Sequence, residues 1–183
     1  MSKVPRTYSD KYIAGQGEYD VFKNMNAEWV SSPFLKVFYI FLVAAFASIL
    51  YMSQLFSFED MWTVTNIVHG VVTFVIFHWI KGCPDDSTQG EYNAFTLYEQ
   101  VDGGTPWTQT KKFLMIMPTV ITYIACYAAD YKKFYVIVNL GIFFICLVAK
   151  LPQMHRVRIL GINSTPGIDN PVQLPEKEKK GKQ

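Results

Sequence analysis

The chain has 183 residues and a formal charge of +2; half of it is hydrophobic, 16% aromatic and only 17% charged, against roughly 25% for an ordinary soluble domain. The apolar residues gather into four blocks, and no basic cluster interleaved with aromatics lies outside those blocks and the extreme tail. Together these features argue against a soluble enzyme domain and against a nucleic-acid partner.

The first 33 residues form a polar leader carrying Lys3, Arg6, Asp10, Lys11, Glu18, Asp20 and Lys23, with no cleavable signal peptide ahead of the first apolar run. Within it Phe22, Met25 and Trp29 fall at helical spacing with Asn26 beside them, the outline of an interfacial amphipathic segment. Spacing alone reads Asn26 as a helix cap or turn residue. Its side chain also offers one acceptor and two donors, the complement of a lipid bearing an amide and hydroxyls.

Four stretches approach the 17 to 25 apolar residues of a spanning helix: 34–52, 61–80, 113–129 and 134–151. The last two are short, suiting a thin bilayer such as that of the endoplasmic reticulum. Basic residues orient them, because short loops rich in Lys and Arg stay cytosolic. The leader, the loop from Lys81 to Lys112 and the segment from Lys150 onward hold fourteen; the opposite side holds only Lys132 and Lys133, and Lys36 can snorkel toward the leader. The expected fold is therefore all-α: an integral membrane four-helix protein with both termini cytosolic. Residues 1–33 form its leader, 34–163 its membrane domain and 164–183 a disordered basic tail rich in Pro, Glu and Lys. The middle loop reads as turns around one amphipathic piece at 92–100.

The four blocks contain no Asp or Glu, which counts against a carrier or channel, the main alternative function, and against a membrane enzyme built on His69 and His155. His69 and His78, nine residues apart, fall on opposite helix faces and cannot chelate one metal. Cys83, Cys126 and Cys146 form no Cys-x-x-Cys pair and read as reduced structural thiols. The polar stripe Trp62, Asn66, His69 and Thr73 on the second helix should face protein and make interhelical hydrogen bonds. Thr119, Thr122, Tyr123 and Cys126 form a similar stripe on the third helix, where Pro118 should introduce a kink.

Specific strings can be read together with this outline. Asn24-Met25-Asn26-Ala27-Glu28-Trp29, Trp62-Thr63-Val64-Thr65-Asn66 with His69, Lys81-Gly82-Cys83-Pro84, Glu99-Gln100-Val101-Asp102, and the run from Lys150 to Asn163 resemble the Orm (ORMDL) family, regulators of sphingolipid synthesis in the endoplasmic reticulum. The resemblance covers about residues 20–163. It implies a four-helix, multi-pass subunit that binds the catalytic subunits of serine palmitoyltransferase and restrains them when ceramide is abundant, with Asn26 contacting ceramide. Pyridoxal phosphate would belong to the partner enzyme, and this chain would need no cofactor. Ser32-Pro33-Phe34-Leu35 departs from the glycine and aromatic that many members place before the first span.

Overall fold

The computed structural model describes residues 24–83 and 92–165; Phe22, the rest of the leader before Asn24, Pro84 to Glu91 and the tail beyond Thr165 lie outside the described residues. The architecture is helical, and the described residues form no strand, only one antiparallel bridge between Lys81 and Thr96.

A single helical turn, α1 (Met25–Glu28), opens the described chain and passes into a 3-10 turn at Trp29–Ser31. Ser32 and Pro33 then start α2 (Pro33–Ser53). Proline fits the first helical position, where its missing N–H has no partner to lose and its φ is already helical. The departure from the family pattern is thus a helix start. The 21 residues of α2 span about 31 Å at 1.5 Å per residue, enough for a hydrocarbon core. Only Ala47 is buried, while Phe34, Phe41, Leu42, Ile49 and Met52 turn outward. Water would penalise that surface, and lipid would not.

Gln54, in the left-handed region at φ 55°, ends α2 and turns the chain back. Ser57 caps α3 (Phe58–Phe74) by accepting from the Asp60 N–H at 3.2 Å. This is the central helix, packed against α2, α5 and α6. Its last stretch, Val75–Trp79, widens into a π-helix. The 100° per residue used to place His69 and His78 on opposite faces does not carry across that widened turn.

Thr96 and Glu99 form a capping box on α4 (Leu97–Gln100). A 3-10 segment, Val101–Gly104, leads on to α5 (Gln109–Ala128), capped by Thr108 on the Lys111 N–H at 3.2 Å. This helix begins before the apolar run at 113, because Thr108 and the polar first turn supply its start, and it is continuous through Pro118. The last helix, α6 (Lys133–Ala149), is followed by 3-10 turns at Pro152–Met154 and Ile159–Gly161. Two helical stretches, Pro33–Ser53 and Phe58–Trp79, are long and apolar enough to cross a membrane; Lys133–Ala149 is apolar but has 17 residues.

Candidate functional site

Inside the bundle, the expected polar stripe closes into a network. Asn66 donates to Asn139 Oδ1 at 2.8 Å and accepts from Thr122 at 3.1 Å, while Asn139 donates to Thr63 at 3.1 Å. Three helices are thereby joined through side chains that are almost completely buried. His69 shares a 2.5 Å hydrogen bond with Tyr39 of α2, and Thr73 donates to the His69 carbonyl at 2.7 Å. Trp62 is half-buried at the stripe's edge. The stripe expected on α5 divides differently. Thr122 and Cys126 are buried, but Thr119 and Tyr123 face outward, and Thr119 satisfies its hydroxyl on the Met115 carbonyl at 2.9 Å. A threonine that bonds its own helix needs no neighbour.

At one end of the bundle, the leader, middle loop and C-terminal segment build a cap. Its core joins Ala27, Val30, Phe77, Tyr98, Val101 and Leu114, with Leu35, Leu97 and Phe113 against them. The cap of α1 is Asn24, whose Oδ1 accepts from the Asn26 N–H at 3.1 Å. Asn26 is therefore not the cap. Its Nδ2 donates to Gln100 Oε1 at 2.8 Å and to the Gly82 carbonyl at 3.3 Å, and Asn24 Nδ2 donates to the same Gln100 oxygen at 3.1 Å.

Gln100 sits at the centre of these bonds, 3% exposed, with Nε2 donating to the Gly82 and Phe95 carbonyls at 3.0 and 3.1 Å. Those two partners are backbone oxygens, so they fix which end of the Gln100 amide carries the NH2 group. Gln100 Oε1 must then face the leader, and Asn24 and Asn26 must each present an NH2 group to it. Asn26 is half-buried; both of its donor hydrogens are used internally, and its Oδ1 is the acceptor left over among the described residues. Gly82 stands at φ 86°, a conformation that suits glycine and places its carbonyl between the two amides.

The C-terminal segment is locked to the same loop. Arg158 grips Glu99 with bonds of 2.7 and 2.9 Å and donates to the Ala94 carbonyl at 2.8 Å, and the Arg156 N–H donates to Glu99 Oε1 at 2.8 Å. Burial alone would raise the Glu99 pKa, but the bonds from Arg158, the Thr96 N–H and the Arg156 N–H outweigh it and hold the carboxyl below its ordinary value. Ser31 adds a 2.5 Å bond to Asp102. Burial pushes the Tyr98 phenol up to about 12, and its hydroxyl donates to the Lys150 carbonyl at 3.0 Å.

Sequence reasoning singled out Asn26 but did not point to Gln100 as its partner, to the Glu99–Arg158 pair, or to Tyr39 and Asn139 as partners of His69 and Asn66. Asn139 had a readable signal, since an amide inside an apolar helix must find a partner. Gln100 had none, because nothing in its spacing points to residues 74 and 76 positions away. Among the described residues no group of His, Cys, Asp and Glu is arranged to hold a metal, and Cys83, Cys126 and Cys146 are free thiols.

A helical protein with lipid-suited outer surfaces, a closed polar network and a cap of docked loops is the class defined by this geometry. The chain belongs to the ORMDL family, whose model matches residues 24–158, from the Asn24 cap to Arg158. It is 35% identical to human ORM1-like protein 2 over 141 residues, 76% of this chain and 92% of that protein. ORM1-like protein 3 of Mus musculus is 31% identical over the same coverage, and an uncharacterized protein of Schizosaccharomyces pombe is 32% identical over 88% of this chain and 85% of its own length.

Proposed function

We propose that this chain is a ceramide-sensing negative regulatory subunit of serine palmitoyltransferase, resident in the endoplasmic reticulum membrane as a four-span protein with both termini cytosolic. The observation that carries the reading is the family match, which takes in the whole cap: Asn26, Gln100 and Arg158 all lie within it. On this reading the catalytic subunits and their pyridoxal phosphate belong to the partner, and the chain contributes restraint without chemistry of its own. The carrier or channel alternative gains no support from the family match.

The cap geometry suggests how ceramide would be sensed. With both Asn26 donors held by Gln100 and Gly82, Oδ1 is the atom free to accept from a ceramide hydroxyl or amide N–H. The lipid would join a leader already docked through Ala27 and Val30 and would raise the population of the docked state. The preceding residues would then be held at the enzyme's substrate entrance. The test is purification of the tagged full-length chain from microsomes. A larger pyridoxal-phosphate enzyme should co-purify, its activity should fall as ceramide is added, and the chain alone should show no turnover. Failure to retain that enzyme, or activity insensitive to ceramide, would overturn the reading.

A further inference from the structure

A cavity of about 720 Å³, well within the range of ligand pockets, lies beside the cap on the α6 side. The π segment of α3, α4, the start of α5, the end of α6 and the C-terminal segment line it, leaving it open on one side, and Asn26 is not among its walls. Most of the lining is apolar, including Phe144, Ile145 and Val148 on the last turns of α6.

The polar residues in that wall are unusual. Lys111 and Lys150 both line it, 5% and 3% exposed. Lys150 Nζ has a single 3.4 Å bond to the Cys146 carbonyl of its own helix, and Lys111 Nζ lies 5.3 Å above the Tyr98 ring with no hydrogen-bond acceptor among the described residues. His78 Nε2, also in the wall, is buried and has no hydrogen-bond partner among the described residues. Glu99 is bonded to Arg158 and Asp102 accepts from the Ser31 hydroxyl; neither carboxylate makes a hydrogen bond to Lys111, although both attract it at longer range. A buried ammonium group that no carboxylate bonds directly is costly, and an acid group entering the cavity would meet two of them, Lys111 and Lys150.

We propose that this cavity binds an anionic lipid, with its acid group at Lys111 and Lys150 and an acyl chain along Phe144, Ile145 and Val148. Charge complementarity selects an acid over a neutral head, and the apolar wall selects a chain-bearing ligand over a free anion. The site is separate from the one proposed for neutral ceramide, and its test needs neither ceramide nor the synthase.

Trp79 and Trp107 in the wall provide a reporter. The full-length chain, delipidated in detergent micelles, is titrated with phosphatidic acid carrying brominated acyl chains, with brominated phosphatidylcholine and inorganic phosphate as comparison arms. Phosphatidic acid should quench the tryptophans saturably, at concentrations at least about tenfold below phosphatidylcholine, the factor that one well-placed charge contact of about 1.4 kcal/mol supplies. Inorganic phosphate should not compete. Lys111→Gln and Lys150→Gln should each weaken binding about fivefold or more, and Val148→Phe should abolish saturation by filling the cavity, with folding checked by circular dichroism. If Lys150→Gln fails to fold, Lys111→Gln and Val148→Phe decide. Equal quenching by the two lipids, competition by phosphate alone, or affinity unchanged in Lys111→Gln and Val148→Phe would overturn the proposal.

Discussion

Replacing Gln100 by alanine should release the leader from the cap while leaving the helical bundle folded. The side chain makes four hydrogen bonds: it accepts from Asn24 and Asn26 and donates to the carbonyls of Gly82 and Phe95. At about 1 kcal/mol net for each bond the loss would approach 4 kcal/mol. Water entering the space left by the side chain would recover part of it, so about 2–3 kcal/mol is the working value. That is roughly a thirty- to 150-fold rise in the open population of the leader. Hydrogen exchange on the full-length chain reads it directly, because the Ala27 and Glu28 amides donate to the Asn24 carbonyl at 3.1 and 3.0 Å and lose protection when α1 undocks. Amides of α5 and α6 should exchange as in the parent. Unchanged protection at Ala27 and Glu28 would refute the pinning role of Gln100, and a uniform loss across all helices would show that the cap and bundle unfold as one unit.

Asn26→Ala should shift synthase inhibition to about five- to 150-fold higher ceramide with assembly intact, since a lost hydrogen-bond partner costs about 1–3 kcal/mol; an unchanged titration in membranes would remove Asn26 from the site. Gly70→Ala should destabilise the bundle by about 1–3 kcal/mol in detergent unfolding, because the new Cβ would lie 2.3 Å from Ile142 Cγ2, where α3 approaches α6. Gly141→Ala, which meets nothing within 4 Å, should be neutral or slightly stabilising, so equal effects at the two positions would reject the close approach. Glu99 contributes stability that is complete above an ordinary carboxyl pKa of about 4.3 and is lost as the pH falls through its lower folded value. The C-terminal segment should therefore gain exchange at Arg156 in acid, and Glu99→Gln should abolish that pH dependence. A tag at either terminus should be digested in sealed microsomes without detergent, and protection of either would overturn the cytosolic topology.

The sequence by itself determined the helical character, the approximate positions of the four long helices and the inward stripe on α3, because each depends on residues within a few turns of one another. Asn66, His69 and Thr73 could be assigned to a protein-facing side since polar groups in an apolar helix seek partners, whichever helix supplies them. The identity of those partners was not legible. Asn139, Thr122 and Tyr39 are separated from the stripe by 30 to 73 residues, and only the packing of α2, α5 and α6 about α3 brings them together. The outward turn of Thr119 and Tyr123 was hidden for the same reason: a stripe of polar residues records a face but not what covers it. In the leader, spacing offered Asn26 as a cap, whereas the tertiary structure gave that role to Asn24 and turned Asn26 toward Gln100 and Gly82. That choice depends on a loop folding back over the bundle so that a glycine carbonyl and a glutamine amide meet the leader. Hydrogen bonding between groups brought together across more than fifty residues is decided by chain closure, which local periodicity does not encode.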